Sequence, residues 1–151
     1  DLFMFAERKL TGLAANQVYK ADISLTFATN VASGCFGVGG SPGESVYIKA
    51  GVTEMQPKAE VGGASFYAMN IDKGNQLVSG KRVKTLGDFA NSQRCDEPET
   101  PYELKTVVTE QPIELTATAN GEAWAIVATD SGFESTTSIW FVSAKFTLTK
   151  Q

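Results

Sequence analysis

Tyr19-Lys20-Ala21-Asp22-Ile23-Ser24-Leu25-Thr26-Phe27 decides the fold. Apolar side chains occupy every second position and polar ones fill the gaps, the pattern of a strand with one dry and one wet face. Val46-Tyr47-Ile48-Lys49-Ala50 repeats it, with Tyr47 alternating against Ile48 and so pointing outward. Outward from these, Leu2–Leu10 reads as a first strand, and Thr11–Gln17 as the turn leading into the second. Thr53–Gly63 is polar and reads as a loop. Ser65–Ile71, Val83–Phe89, Tyr102–Thr109 and Ile113–Ala119 read as further strands. Asn120-Gly121 is a strong hairpin signal and predicts that Ile113–Ala119 pairs with Glu122–Thr129, where Trp124, Ile126 and Ala128 share a face. The last strand, Ser138–Thr149, places Trp140, Val142, Ala144, Phe146 and Leu148 together. About nine strands with regular turns and no convincing helix predict an all-β antiparallel sandwich.

Length and charge narrow the options. The 151 residues suffice for one domain with a sizeable core, and 42% are hydrophobic. A net charge of −4 argues against nucleic acid, whose phosphates need a basic face, and against an anionic membrane surface. No apolar run approaches the ~18 residues of a membrane helix. The chain opens on strand-like Asp1-Leu2-Phe3-Met4-Phe5 with no signal peptide, which suggests a trimmed or mature product.

Two cysteines, Cys35 and Cys95, sit in loop-like surroundings. Two free thiols are one reading. A disulfide is the preferred one, and it implies an oxidising, extracytoplasmic compartment. Two cysteines without histidine are a poor basis for zinc.

Gly34–Gly51 holds six of the 14 glycines, and three catalytic motifs fail within it. Gly39-Gly40-Ser41-Pro42-Gly43 fits the nucleophile elbow G-x-S-x-G, yet the chain has no histidine to act as base and no helix pattern follows. A phosphate loop needs lysine where Glu44 stands, and a dinucleotide fingerprint ends on Pro42 instead of glycine. Glycines serving close backbone approach explain the stretch better.

Leu10-Thr11-Gly12-Leu13-Ala14-Ala15-Asn16-Gln17-Val18-Tyr19 resembles the L-x-G-L-x-P-N-T-x-Y segment of extracellular β-sandwiches, with Ala15 in place of proline. Carbohydrate-binding jelly rolls of the galactose-binding or carbohydrate-binding-module type, and fibronectin type III domains, use it. Thr137–Leu148 is similar to the last strand of those jelly rolls, x-Y-x-D-D-V-x-L, with Val142 and Ser143 at the acidic positions that accompany calcium there. Four blocks, Asp1–Phe5, Gly37–Tyr47, Asn70–Gln76 and Thr129–Glu134, resemble a family of uncharacterised bacterial secreted proteins and lipoproteins. That resemblance implies export, a β-sandwich and a further N-terminal segment. It transfers no catalytic residue.

The leading expectation is a non-catalytic, extracytoplasmic binding module for a glycan. A pyranose has an apolar face and a hydroxyl rim, so it stacks on exposed aromatics flanked by amides and carboxylates. Candidate platforms are Tyr47, Tyr67, Trp124 and Trp140, although core packing is the commoner fate of a tryptophan on an apolar strand face. Asn70, Asp72, Asn75 and Gln76 are the candidate polar partners, or else a solvated hairpin tip. The alternative is a structural or protein-interaction domain of the cell envelope. A glycosidase is the third reading, and it needs two carboxylates facing across a cleft. Asp130 and Glu134 flank Phe133 and are the candidate ligands of a weak structural calcium; no cofactor is required. The expected partners are a polysaccharide or an envelope protein.

Overall fold

The computed structural model describes residues 2–62 and 66–151. Ser65, the expected start of a strand, and Asp1, the first residue of the block Asp1–Phe5, lie outside them. The described residues form twelve strands: β1 (Leu2–Leu10), β2 (Val18–Thr29), β3 (Val46–Thr53), β4 (Ala59–Val61), β5 (Tyr67–Met69), β6 (Gly74–Asn75), β7 (Val78–Ser79), β8 (Val83–Asp88), β9 (Glu103–Val108), β10 (Ile113–Thr116), β11 (Ala123–Ser131) and β12 (Ile139–Lys150). Every strand pairing is antiparallel. Among the described residues no helix is long and apolar enough to cross a membrane.

Two sheets face each other in a sandwich-like arrangement. One has the order β1-β11-β3-β8. The other is built on β2, with β12 along one edge and β10 and β9 in series along the other. Period two dictates what lies between them. Ala21, Ile23, Leu25 and Phe27 of β2 and Val46, Ile48, Ala50 and Val52 of β3 are at most 2% exposed and belong to one core cluster. Burying each larger side chain contributes roughly 1.5–3 kcal/mol.

The entry turn is built from its own sequence. Gly12 and Asn16 take positive φ, +81° and +56°. The Tyr19 hydroxyl then accepts the Ala14 N–H at 2.9 Å. This ties the turn to the first buried residue of β2.

Three expectations need correction. Asn120-Gly121 does not close a hairpin, because β10 pairs with β2 in one sheet while β11 lies between β1 and β3 in the other. The turn itself is tight, with Thr118 N–H donating to Glu122 O at 2.9 Å, and Gly121 at φ +68°. Leu13 N–H donates to Gly121 O at 3.0 Å, and a Cβ at Gly121 would collide with the Leu13 carbonyl, so the turn carries the chain across the sandwich. The segment 54–82 is not plain loop, turn and one strand: it makes two short ribbons, β4-β5 and β6-β7, which raises the count from about nine to twelve. Asp130, just past the expected strand Glu122–Thr129, lies within a strand, since β11 runs to Ser131.

The glycine-rich segment between β2 and β3 serves close approach. Gly39, at φ +76°, lies where a Cβ would strike the Gly132 carbonyl and the Glu134 side chain. Cys35 and Cys95 form the expected disulfide, with Cα atoms 5.1 Å apart and a separation of 60 positions in sequence. Ser33 and Cys95 reinforce the junction: Ser33 N–H donates to Gln93 O at 2.8 Å, and Cys95 N–H to Ser33 O at 2.9 Å.

Replacing both cysteines by serine should lower stability by about 4 kcal/mol, the chain-entropy value for so long a loop. A urea melt with and without reductant measures it. An unchanged midpoint in the double variant would show that the backbone bonds alone hold the junction.

Candidate functional site: an aromatic face on the second sheet

The two sheets differ on their outer faces. That of the first sheet is covered. Ile126 of β11 and Val83 pack there with Ile71, while Phe3, Phe5 and Met69 close the cluster. Among the described residues, the outer face of the β2 sheet has no such cover.

The register places Leu104, Ala28 and Trp140 side by side across β9, β2 and β12. Thr106, Thr26 and Ser143 form the next row, followed by Val108, Ser24 and Lys145. Trp140 is 67% exposed, Tyr102 55% and Leu104 71%. The Trp140 indole N–H donates to the Tyr102 hydroxyl at 3.3 Å, which fixes one ring relative to the other. The Thr26 and Thr106 hydroxyls are 2.9 Å apart in the adjoining row. The result is an open strip with two aromatic side chains at one end and hydroxyls and an ammonium further along.

A β-bulge puts Trp140 there. The pairing of β12 with β2 slips between Phe141 and Ser143, leaving Val142 unmatched. Beyond the slip, Ala144, Phe146 and Leu148 stand opposite the core residues Leu25, Ile23 and Ala21. Trp140, before it, stands opposite Ala28 on the other face. Strict alternation assigned Trp140 to the face of Phe146, and the bulge reverses that.

The other expected platforms are placed differently. Trp124 shares the outer face of the first sheet with Ile126 and Ala128, as its spacing predicts. It is half-buried, and Lys9 Nζ stands 5.9 Å from the ring centroid while pairing with Glu122 at 2.7 Å. Tyr47 does point away from the core and lines a 460 Å³ cleft with Glu44, Asp88 and Glu110. Tyr67 is 76% exposed, on the separate β4-β5 ribbon.

The expected polar partners are largely committed to folding the chain. Asn70 bridges a crossing, its amide donating to Gln56 O and its carbonyl accepting from Lys58 N–H, both at 2.9 Å. Asp72 accepts Lys81 N–H at 2.8 Å and Gly74 N–H at 3.1 Å, and these bonds hold its carboxyl below the ordinary range. Gln76, at φ +47°, packs its side chain by Gly132 and donates its backbone N–H to Asp130 at 2.9 Å. Asn75 is exposed on β6. The structure does not bring these four onto the Trp140 face, which lies on the other sheet.

Asp130 and Glu134 also have other work. The Asp130 side chain is fully buried under residues 73–78. Its Oδ2 accepts from Lys73 Nζ at 3.0 Å and lies 3.4 Å from Lys49 Nζ. Lys49 is itself fully buried, and burial pushes its ammonium pKa down against the pull of Asp130. Two ammonium groups at one carboxylate oppose a cation. Glu134 lies instead against Gly39, its N–H donating to Val38 O at 2.9 Å. Among the described residues no group of three or more acids, cysteines or histidines could hold a metal ion.

Tyr102, Leu104, Thr26 and Thr106 are the members of the aromatic face that sequence reasoning missed. Plain alternation puts Thr26 on the wet face of β2 but hides Tyr102, Leu104 and Thr106, because it sends Leu104 inward and Lys105 outward. Lys105 in fact turns to Asp88, bonding its carboxylate at 2.7 Å and the Ala90 carbonyl at 2.7 Å. Only the adjacency of Tyr102 to a strand start signalled an exposed ring.

The buried charges give a test. Asp130→Ala leaves Lys49 buried and unpaired, and should cost about 3–5 kcal/mol. Lys49→Met keeps Asp130 bonded to Lys73 and Gln76, and should cost well under half as much. Urea melts of the two variants compare them; equal losses would contradict this ordering. Comparison with models of protein families, with curated proteins and with solved structures finds no match, so the family resemblance rests on the quoted residues.

Proposed function

We propose that this chain is a non-catalytic, extracytoplasmic binding module for a glycan, and that the Trp140–Tyr102 face is its platform. The observation that carries the reading is that pair of exposed, hydrogen-bonded aromatics on an uncovered sheet. Indole and phenol rings offer the apolar surface that pyranose C–H groups stack on. Thr26, Thr106, Ser143 and Lys145 supply donors and acceptors for the hydroxyl rim. An open strip suits a run of sugar units along a polysaccharide rather than one enclosed sugar.

The fold reads best as a jelly roll, because the long strands cross repeatedly between sheets: β1 to β2 to β3, then β8 to β9, β10 to β11 and β11 to β12. The disulfide favours an oxidising compartment.

Glycosidase chemistry finds little support. The best-placed acids are those around Tyr47, and a general acid there would need a raised pKa. Burial raises the Glu44 carboxyl, but the Ser41 hydroxyl and the Gly34 N–H outweigh it and leave the group below its ordinary range. The envelope-interaction alternative is favoured by one observation, the edges of β1 and β12 that pair with no further strand among the described residues.

Affinity electrophoresis against a panel of soluble polysaccharides tests the reading. At least one should retard the protein. Trp140→Ala should weaken that interaction about tenfold, on the order of 1.4 kcal/mol, without changing the circular dichroism. Tyr102→Phe, which keeps the ring and loses the acceptor, should weaken it less. Retardation untouched by Trp140→Ala would move the site elsewhere.

A further inference from the structure

A cleft opens between the two sheets along one side of the sandwich. β1 pairs only with β11, and β12 only with β2, so neither edge is covered among the described residues. Two cavities, of 590 and 320 Å³, lie end to end there and share Ala6 and Val127 in their lining. Around that junction the walls are apolar, with Met4 on β1 and Phe141, Ala144 and Phe146 on β12.

Two polar side chains interrupt this lining, one in each cavity. The first is Arg8. Glu7 and Lys9 also border the larger cavity, but they alternate with Arg8 and turn to the outer face with Phe3 and Phe5. There Glu7 accepts from Gln56 at 2.8 Å, and Lys9 pairs with Glu122 at 2.7 Å. Arg8 stands on the inner face opposite Ala125, is exposed, and forms no ion pair among the described residues. Of the three, only this cation is turned into the cleft. The second side chain is Thr129, which lines the smaller cavity opposite Met4. It is 6% exposed, and its hydroxyl has no hydrogen-bond partner among the described residues. Buried hydroxyls are normally bonded, so an unpaired one beside a cavity marks the place of a polar atom. Four positions of β1 separate the two sites, about 13 Å at 3.3 Å per residue.

This pattern selects the occupant. An added polypeptide strand would lay an apolar side chain against Arg8. A plain hydrocarbon would leave both polar groups unmet. An apolar chain with an anion at one end and a hydroxyl at the other meets all three features. We propose that the cleft binds a free ω-hydroxy fatty acid, with its carboxylate at Arg8, its methylenes across Ala6 and Val127, and its hydroxyl at Thr129. An extended chain advances about 1.2 Å per bond, so the spacing fits an acid of about ten to twelve carbons. Because Arg8 is exposed, the carboxylate stays hydrated at the mouth while the methylenes leave water. An ester would lack the charge that Arg8 meets. The site is separate from the glycan platform, since Ile139 and Phe141 line the cleft while Trp140 faces away.

Titration calorimetry with 12-hydroxydodecanoate at neutral pH, where its carboxylate is ionised, tests the proposal. Saturable binding at one site is expected. Dodecanoate lacks the hydroxyl, 1,12-dodecanediol lacks the charge, and 6-hydroxyhexanoate is too short to span the two sites. Each should bind at least about tenfold more weakly. Arg8→Gln should weaken the hydroxy acid about tenfold and leave the diol unchanged. Thr129→Val keeps the shape and removes the hydroxyl, so the hydroxy acid should lose its advantage over dodecanoate. Trp140→Ala should alter none of these affinities. Circular dichroism checks that each variant folds, and the ligand series on the unaltered protein stands without them. No saturation by the hydroxy acid overturns the proposal, as does dodecanoate binding equally tightly or an affinity that survives both cleft substitutions. Self-association in sedimentation that slows amide exchange along β1 and β12, and that the acid does not relieve, would assign the cleft to a second copy and overturn it too.

Discussion

The face-to-face packing of β2 and β3 is the constraint on which the molecule depends. Each is a central strand; β2 presents Ala21, Ile23, Leu25 and Phe27 to the core, and β3 presents Val46, Ile48, Ala50 and Val52. β2 pairs with β12 along eleven positions and with β9 and β10 on its other side. A slip of one residue in β2 would send Asp22, Ser24 and Thr26 inward and bring all three partners out of phase. The outer row Leu104-Ala28-Trp140 exists because that register is fixed from within.

This much was legible in the sequence, because period two is a local signal. β2, β3 and the shared face of Trp124, Ile126 and Ala128 follow from alternation, and the disulfide from two cysteines in loop contexts. Failures occur where a distant partner overrides the local pattern. Asn120-Gly121 makes a tight turn, but Leu13 stands behind it and the following strand pairs in the other sheet. The bulge at Val142 turns Trp140 to the opposite face from Phe146, and nothing within Ile139–Lys150 announces it. Lys105 points inward because Asp88 and two backbone carbonyls collect its ammonium, and that leaves Leu104 outside.

The long connection between β3 and β8 accounts for the asymmetry of the two outer faces. It lies over the first sheet, contributing Met69 and Ile71 to a second cluster and Val78 O as an acceptor for buried Lys49 at 3.1 Å. Desolvating Lys49 and Asp130 is costly, and Lys73 and the Gln76 N–H offset part of it. Of the residues expected to bind ligand in this segment, Asn70 and Asp72 brace it internally and Gln76 ties it to Asp130 of β11. With the first sheet covered, the exposed Trp140, Tyr102 and Leu104 are left on the second.

The central claim is that Trp140 is a ligand platform. The most direct measurement is the emission of a Trp124→Phe variant, which retains Trp140 as its single indole, during titration with a polysaccharide that retards the protein. A saturable blue shift with reduced quenching by iodide is the result the account predicts. Retardation of the protein with the emission and quenching of Trp140 unchanged would contradict it.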